Sequence, residues 1–497
     1  MRPDRRCGVL LHVAALPGPG PVGTVGAPAR ALVEWLALGR QSLWNILPLN
    51  PTGGDGCPYA SYSAFAGNPV LIDLSDLAPY CGANPKVAPG GGNPRRVEWP
   101  RAIETAHRTL SAAFESFSLH RKNDPDFARF CAVESGWLDD FALFCALRDY
   151  HETPAWHRWP AEFRDRLPEA LSAFGTEHGN ALLKHRFVQW VFFSQWRTTR
   201  RLANGRGVSV IGDMPIFVSL DSADVWAHQR LFLLADHAPK AVAGVPPDYF
   251  APKGQLWGNP LYDWEAMAKD GFAWWRRRFE AAFKLYDVVR IDHFRGFESY
   301  WEVPAGAPDA TGGRWVKAPG DALFNALRAH FGALPVIAED LGIITDEVHK
   351  LRERHGFPGM KVLQFAFGGG PGHPFLPHNY PSDNFVVFTG THDNDTTAGW
   401  LASIPEHERR FVHEYLNAPW TSDTVWEIIR LAYESPARFA VVPFQDVIGA
   451  GSEARYNSPG VVSERNWSWR AREEELAPEA AQRLAALAEQ HGRTARS

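Results

Sequence analysis

Three acidic residues stand where apolar, β-branched segments end, and this placement allows acid–base and nucleophilic chemistry. Asp292 and Glu339 each end such a segment, and Asp393 lies shortly after a third one. Two carboxylates a few ångströms apart can cleave a glycosidic bond, because one protonates the leaving oxygen while the other attacks the anomeric carbon. The third acid could hold sugar hydroxyls. The pattern therefore predicts that the three acids meet at one site and that this site carries out glycoside chemistry.

Two further polar residues bear on how these acids work. Arg290 and Asp292 share one face of their strand because side chains alternate with period two, and a guanidinium there is expected to keep the carboxylate ionised. The other interpretation is a structural ion pair that caps the strand. Asp213 also ends a buried segment. It is either catalytic or, as we favour, a hydrogen-bond acceptor for loop backbone beside the site.

The elements that must position these residues are short strands separated by helices or loops. Eight parallel strands with polar residues at their carboxyl ends are typical of a (β/α)₈ barrel. An open doubly wound sheet is the alternative, but it does not explain acids at so many strand ends. The candidate strands are Gly8–His12, Ser42–Leu49, Val208–Pro215, Val288–Asp292, Pro335–Asp340, Lys361–Phe365, Phe385–Thr389 and Phe439–Phe444.

The chain is long enough for a large barrel with insertions. We predict one catalytic barrel over residues 1–497, with apolar residues at helical spacing marking a mostly helical insertion at 74–206. Residues 227–287 are predicted as an active-site loop insertion, in which 246–262 form a flap rich in proline, glycine and aromatic residues. Residues 471–497 are predicted as a closing surface helix.

Composition excludes several classes of protein. A net charge of −5 argues against a nucleic-acid-binding or anionic-membrane-binding surface. No apolar run is long enough to span a bilayer, and the N-terminal one is too short for a signal peptide. The five cysteines are scattered and never spaced as Cys-x-x-Cys, which indicates reduced thiols in a cytoplasmic protein and no structural zinc site. Twenty tryptophans suit a sugar ligand, or simply fill a large core.

Two other functions remain open from the residues alone. One is a metal-dependent barrel hydrolase, against which we note that no His-x-His ends the first strand. The other is a catalytically inactive glucan-binding protein, against which the three intact acids argue. The candidate metal ligands would be His12, Asp292, His293, Glu339, His392 and Asp393.

The sequence resembles the amylomaltases, a family of 4-α-glucanotransferases related to the α-amylases. The resemblance covers nearly the whole chain and implies a (β/α)₈ barrel that needs no cofactor and no metal. The motifs that carry it are Pro58–Pro69, Gly212–Val218, Trp257–Tyr262, Arg290–Gly296, Ala338–Gly342, Gly390–Asn394 and Arg455–Gly460.

The resemblance also implies a reaction and a role for each site residue. Asp292 would be the nucleophile, Glu339 the acid/base and Asp393 the stabiliser of the transition state. The enzyme would cleave an α-1,4 bond and pass the glucan from a covalent ester to the 4-hydroxyl of another glucan. Its substrates would be maltooligosaccharides, amylose and glycogen, and an α-1,4-glucan hydrolase on the same barrel is the alternative. The implied substrate-binding residues are Tyr59, Asp213, Trp257, Arg290, His392 and Asn457.

Two segments depart from the family pattern. Val13-Ala14-Ala15 stands where the family usually has Pro-Thr-Ser, and Tyr456 stands where a methionine is expected. Neither change touches the carboxylates. They therefore put the preferred glucan length in doubt rather than the reaction.

Overall fold

The structure of the chain is a computed structural model that describes residues 5–82, 92–247, 251–421 and 423–494. The predicted insertion at 74–206, the predicted flap and the predicted C-terminal helix each have a part that lies outside these residues.

Eight parallel strands form one sheet. In chain order they are β1 (Arg6–Leu10), β2 (Leu43–Asn45), β3 (Ser209–Met214), β4 (Val288–Ile291), β5 (Val336–Ala338), β6 (Gly359–Val362), β7 (Phe385–Phe388) and β8 (Phe439–Pro443). Their order in space is β5-β4-β3-β2-β1-β8-β7-β6. The two ends of this order meet, because Ala338 N–H of β5 donates to the carbonyl of Pro358, next to β6, at 2.9 Å. The predicted (β/α)₈ barrel is confirmed.

All eight strands overlap their predicted ranges, and β6 is shifted toward the N-terminus. The predicted strand Lys361–Phe365 starts earlier, at Gly359, and ends at Val362. Leu363–Phe365 instead form a 3₁₀ turn, which the Ala366 N–H closes by donating to the carbonyl of Leu363. A short apolar run does not show from sequence alone where a strand bends into a turn.

Successive side chains on each strand point to opposite faces, and this divides the core into an outer and an inner layer. On β4, Val289 and Ile291 are fully buried on the outward face, among the helices, while Arg290 and Asp292 share the inward face. The barrel interior is filled by one compact cluster of large apolar side chains. Its members are Leu10, Leu43, Ile211, Ile337, Met360, Val362, Val386, Phe388, Phe439 and Val441.

Helices surround the barrel and occupy most of the described part of 74–206. The last helix of that segment returns to the barrel, where Trp196 Nε1 donates to the carbonyl of Leu285 at 2.9 Å. The helices of eight or more residues are Ala27–Leu38, Trp99–His120, Pro125–Tyr150, Pro168–Glu177, Gly179–Gly205, Ala273–Leu285, Gly320–Phe331, Asp346–Arg354, Glu406–Leu416, Thr424–Glu434 and Pro478–Gln490. Shorter ones are Ala78–Cys81, Ala161–Arg164, Ala223–Ala227, Trp264–Lys269, Thr397–Ser403 and Phe444–Val447.

The segment predicted as a flap contains one strand, Gln255–Pro260, which the sequence did not predict. Ala241–Val245 and Gln255–Pro260 pair with each other, and Ser299–Pro304 and Arg314–Lys317 complete a four-stranded antiparallel sheet. We call these four strands the flap sheet. Gly258, with φ of 78°, and a bulge between Val242 and Gly244 break the alternation that would have revealed the strands.

The C-terminal helix is shorter than predicted. It runs over Pro478–Gln490, because Glu473–Glu475 form a separate 3₁₀ turn before it. Beyond the helix, Arg493 is fully buried and donates to the carbonyls of Arg6 and Tyr433. Arg5 donates in turn to the carbonyl of His491 at 2.9 Å, so the first and last described segments lie side by side. Among the described residues no helix has the length and apolarity needed to cross a membrane.

Candidate active site

Asp292 directly follows β4 at the carboxyl end of the barrel. Its backbone N–H donates to the carbonyl of Met214 at 3.0 Å, which continues the ladder between β4 and β3 by one residue. The side chain is 29% exposed and lies on the wall of a cavity of about 410 Å³. Asp292 is therefore a carboxylate held at a fixed backbone position and open to a ligand.

Arg290 connects Asp292 to a second buried acid. Its Nη1 lies 2.6 Å from Asp213 Oδ2 and 3.1 Å from Asp292 Oδ1. The strand register places Arg290 directly opposite Asp213. Arg290 is therefore not a simple cap on its own strand, because one guanidinium is shared between two carboxylates. Asp213 accepts from side chains rather than from loop backbone, which corrects our favoured interpretation of it.

A chain of hydrogen bonds leads from Asp213 to Asp393. Tyr59 OH donates to Asp213 Oδ2 at 2.7 Å and lies 2.9 Å from His392 Nε2. Since the single hydroxyl proton goes to Asp213, the tyrosine oxygen accepts from His392, which assigns the ring proton to Nε2. Burial lowers the pKa of His392 below its usual value, so the ring is neutral at pH 7. The same Nε2 lies 3.4 Å from Asp393 Oδ2.

Glu339 follows β5 and is fixed by the backbone on both oxygens. His293 N–H donates to Oε2 and Leu341 N–H to Oε1, each at 2.8 Å. His293 is the residue after Asp292 and has a left-handed φ of 51°, which turns its N–H toward Glu339. A protonated carboxyl still accepts on both oxygens, so these bonds position Glu339 without excluding a role as acid.

The electrostatics of Asp292 differ from the sequence-based expectation. Burial raises the pKa of Asp292 to about 8, with Arg290 acting in the opposite direction and Asp213 and Glu339 adding to the rise. Because 29% of the side chain is exposed, water offsets part of the burial effect. Burial also raises the pKa of Glu339. Arg290 therefore favours ionised Asp292 but does not outweigh burial and the crowd of carboxylates, and the pair tends to retain a proton.

A loop after β8 holds Asp393 in place. Asn457 Nδ2 donates to Asp393 Oδ1 at 2.7 Å, and Asn457 N–H donates to the carbonyl of His392 at 3.1 Å. Arg455 ties the two loops together, donating to the carbonyls of Asp393 and Asn457 at 2.8 Å each. Asp393 remains 42% exposed and so keeps a free edge for a ligand.

Aromatic rings wall the cavity. Trp257 is 37% exposed, and its ring meets His293 edge to face with centroids 4.9 Å apart. On the other side Tyr59 stacks on His392 at 5.5 Å, with Trp467 packed against both rings. A larger cavity of about 750 Å³ lies beside this one and shares Ala60 and Ser219 with it. It contains none of the three strand-end acids, so the smaller cavity is the candidate active site.

The structure brings all nine predicted site residues together. Five line the cavity, namely Tyr59, Trp257, Asp292, Asp393 and Asn457. Arg290, Asp213 and His392 lie directly behind the lining residues. Glu339 lies beside them, where it accepts a hydrogen bond from the N–H of His293, the residue after Asp292. Sequence reasoning missed Arg455 as the tie between two loops, although it stands in the quoted motif Arg455–Gly460. It also missed Trp467, for which no sequence signal was present.

The two departures from the family pattern lie in buried positions. Val13–Ala15 form a buried 3₁₀ turn just after β1. Tyr456 is only 4% exposed and packs edge to face against Trp467, with centroids 5.8 Å apart. Tyr456 therefore supports a ring of the cavity wall rather than contacting the cavity itself.

Comparisons of the sequence with known proteins give one consistent family. The family model described as 4-alpha-glucanotransferase matches residues 11–476. The chain is 48% identical to a 4-alpha-glucanotransferase of Thermus thermophilus, over 98% of this chain and 99% of the relative. It is 41% identical to the chloroplastic/amyloplastic 4-alpha-glucanotransferase of Solanum tuberosum, over 94% of this chain and 82% of the relative.

Solved structures agree with this assignment. The amylomaltase from Streptococcus agalactiae in complex with acarbose matches with a TM-score of 0.94 and 34% identity, over 99% of this chain and all of that one. The amylomaltase from Corynebacterium glutamicum matches with a TM-score of 0.76 and 19% identity, over 97% of this chain and 75% of that one, and this supports the fold.

Proposed function

This chain belongs to the 4-alpha-glucanotransferase family and is an enzyme of that class, and from this premise we propose how its residues carry the reaction. The substrates are α-1,4-glucans, including maltooligosaccharides, amylose and glycogen. The enzyme cleaves one α-1,4 bond and transfers the released segment to the 4-hydroxyl of another glucan or of glucose. The observation that carries this proposal is the Asp213–Arg290–Asp292 network, which opens onto a cavity walled by aromatic rings.

Asp292 is the nucleophile in this proposal. Its carboxylate attacks the anomeric carbon, and the bond from that carbon to the leaving oxygen breaks with its electron pair going to the oxygen. The product is a glycosyl ester on Asp292. Arg290, 3.1 Å from Oδ1, lowers the free energy of the ionised carboxylate and orients it toward the cavity.

Glu339 is the general acid and then the general base. Its raised pKa favours the protonated form that donates to the leaving oxygen. After the first product leaves, the carboxylate takes the proton of the acceptor 4-hydroxyl, which attacks the ester and restores Asp292. Two displacements at one carbon retain the α configuration.

Asp393 and its neighbours hold the sugar ring. The exposed Asp393 carboxylate accepts hydrogen bonds from ring hydroxyls and favours the distorted, positively charged transition state. Asn457 and His392 keep this carboxylate in place and, with Tyr59 and Asp213, form the polar floor of the subsite. Trp257 forms the aromatic wall opposite.

The experiment that tests transfer is incubation with maltotriose. We expect free glucose together with a ladder of longer oligosaccharides, measured by chromatography over time. If maltotriose is shortened and no longer oligosaccharides form, the enzyme is an α-1,4-glucan hydrolase on the same barrel, which is the competing function. Transfer requires that the acceptor site exclude water from the ester, and Trp257 provides apolar surface for that purpose.

The covalent step has its own test. In Glu339→Gln the second displacement lacks its base, so a maltosyl donor with a good leaving group, such as maltosyl fluoride, should leave the enzyme esterified. Mass spectrometry should then find one added maltosyl group on the peptide that contains Asp292. The matched control is the double variant Asp292→Asn/Glu339→Gln, which should carry none. A label on any other peptide would contradict the nucleophile assignment.

The proposal also covers how the chain is divided into parts, whether the reaction needs a metal, and where the enzyme acts. Residues 1–497 act as one catalytic unit, with 74–206 and 227–287 as insertions and 471–497 closing the barrel.

The mechanism uses no metal and no cofactor, so activity should survive a chelator. Inactivation by the chelator, reversed by a divalent cation, would favour the metal-dependent alternative. All five cysteines are free thiols, which supports action in the reducing cytoplasm.

A further inference from the structure

A row of side chains crosses the flap sheet outside the catalytic cavity. The strand register sets Trp315 opposite Trp301, Trp301 opposite Gly244, and Gly244 opposite Leu256. Residues directly opposite on neighbouring strands share one face of a sheet. Two indoles and a leucine therefore stand on one face, with a glycine between them that adds no side chain.

The two indoles are held in place by specific contacts. Their centroids are 5.1 Å apart with planes at 67°, and Trp301 Nε1 donates to the carbonyl of Ala310 at 2.9 Å. A side chain at Gly313 would come within 2.2 Å of Trp301 Nε1, so this glycine makes room for the ring. The guanidinium of Arg295 lies 3.6 Å from the centroid of the Trp315 ring.

Trp315 is nonetheless open to solvent, and Trp301 is partly buried. Trp315 is 38% exposed although Arg295 covers one of its faces, so the exposed area belongs to the opposite face and the rim. The charged pair Arg314–Glu302, at 2.7 Å, lies on the opposite face of the same two strands, so the face that carries the indoles is apolar. A flat apolar surface of this kind suits the C–H face of a pyranose, which stacks on aromatic rings.

The row is also continuous with the active site. Leu256 precedes Trp257 of the cavity wall on the same strand. A second path runs through the segment after the nucleophile, because His293 contacts Trp257 and Arg295 contacts Trp315. The backbone between these two residues spans at most about 7 Å, so one short segment beside Asp292 contacts both aromatic surfaces.

We propose that Trp301 and Trp315 form a platform that binds the distal part of a long α-1,4-glucan whose reacting end lies in the catalytic cavity. This inference rests on the proposed function for the identity of the ligand. A glucan that extends past Trp257 reaches the platform, whereas maltotriose is too short to fill both sites. The platform therefore contributes to the affinity for polymers and not to the chemistry.

The test compares two tryptophans of equal exposure. Trp315→Ala should raise the ratio of the KM for amylose to the KM for maltotriose by about two- to tenfold, the size of one aromatic contact. Trp315→Phe should recover part of the difference. The control is Trp420→Ala, since Trp420 is also 38% exposed and also packs against an arginine, Arg409, but lies outside the flap sheet. That variant should leave the ratio unchanged.

Two results would overturn the platform. An unchanged ratio in Trp315→Ala would show that long glucans do not use the ring, and a proportional rise of both KM values would show that the ring only supports the cavity. Binding of amylose to Asp292→Asn, with and without Trp315→Ala, repeats the comparison without turnover. Failure of the proposed function would appear separately, as a wild-type enzyme that yields no ladder from maltotriose.

Discussion

The two walls of the active-site cavity are built in different ways. The barrel wall consists of strand ends whose charged groups bond to one another, and Arg290 there is only 6% exposed. The flap wall belongs to an antiparallel sheet whose strands come from two separate stretches of chain, and its Trp257 is 37% exposed. The contrast teaches that the groups proposed to cleave the bond are fixed by buried partners, whereas the groups proposed to bind the glucan stand on a separate sheet outside that buried network.

The largest expected effect is on the barrel wall, at the nucleophile. Asp292→Asn should lower the rate of transfer about a thousandfold or more, because the amide cannot form the ester. The fold should persist, since the asparagine has the same shape and the backbone bond to Met214 is kept. Initial rates with maltotriose and a thermal unfolding curve test both points. A rate within tenfold of the wild type would contradict the assigned role.

Removal of the shared guanidinium should affect both stability and pH dependence. Arg290→Gln leaves the buried Asp213 carboxylate without its cation, which we expect to cost about 3–5 kcal/mol in the free energy of unfolding. Arg290 lowers the pKa of Asp292, so its removal raises that pKa further. The ionised nucleophile then forms only at higher pH, and the acidic limb of kcat/KM should move upward in pH, with about a hundredfold loss at pH 7.

The control for this prediction is Arg290→Lys, which keeps the charge but not the planar fork that reaches both acids. It should retain more stability than Arg290→Gln and shift the acidic limb less. A limb that stays in place in both variants would show that Arg290 does not govern the protonation of Asp292.

On the flap wall the effects should be smaller and confined to binding. Trp257→Ala should raise the KM for maltotriose about tenfold, while the melting temperature changes little because the ring is exposed. Trp257→Phe keeps a ring and should recover most of the affinity. If Trp257→Ala instead lowers kcat as strongly as Arg290→Gln does, the two walls are not functionally distinct.

The smallest effect should come from loosening the flap sheet itself. A Cβ at position 244 would lie 2.4 Å from the carbonyl oxygen of Gln255, so Gly244→Ala should destabilise the sheet by about 1–3 kcal/mol. Hydrogen exchange should accelerate in Ala241–Val245 and Gln255–Pro260 but not in the barrel strands. Accelerated exchange in β3 or β4 as well would mean that the barrel and the flap sheet unfold together.

The same contrast explains what the sequence could predict. The barrel follows from local patterns, because each strand is a short apolar segment and each acid follows it by a residue or a few. The positions of Asp292, Glu339 and Asp393 could therefore be predicted before any contact was known. The sharing of Arg290 with Asp213 could not, since it depends on the register between β3 and β4, 77 residues apart in sequence.

The flap sheet was missed for a related reason. Its strands pair across long separations, and a bulge and Gly258 disturb the alternation that marks a strand. The direction in which the pKa of Asp292 shifts could not be predicted from the sequence either. An adjacent arginine predicts a lowered pKa, whereas burial and the number of carboxylates around one cation decide the outcome only in three dimensions.

The contact between the two ends of the described chain has a consequence for topology. Arg5 donates to the carbonyl of His491, and the buried Arg493 donates to the carbonyl of Arg6. A short linker could therefore join these ends, and the chain could be opened at the exposed turn 304–306 without losing any barrel strand. Such a circular permutant is expected to close the same eight strands, with the order of synthesis rearranged but the arrangement in space preserved.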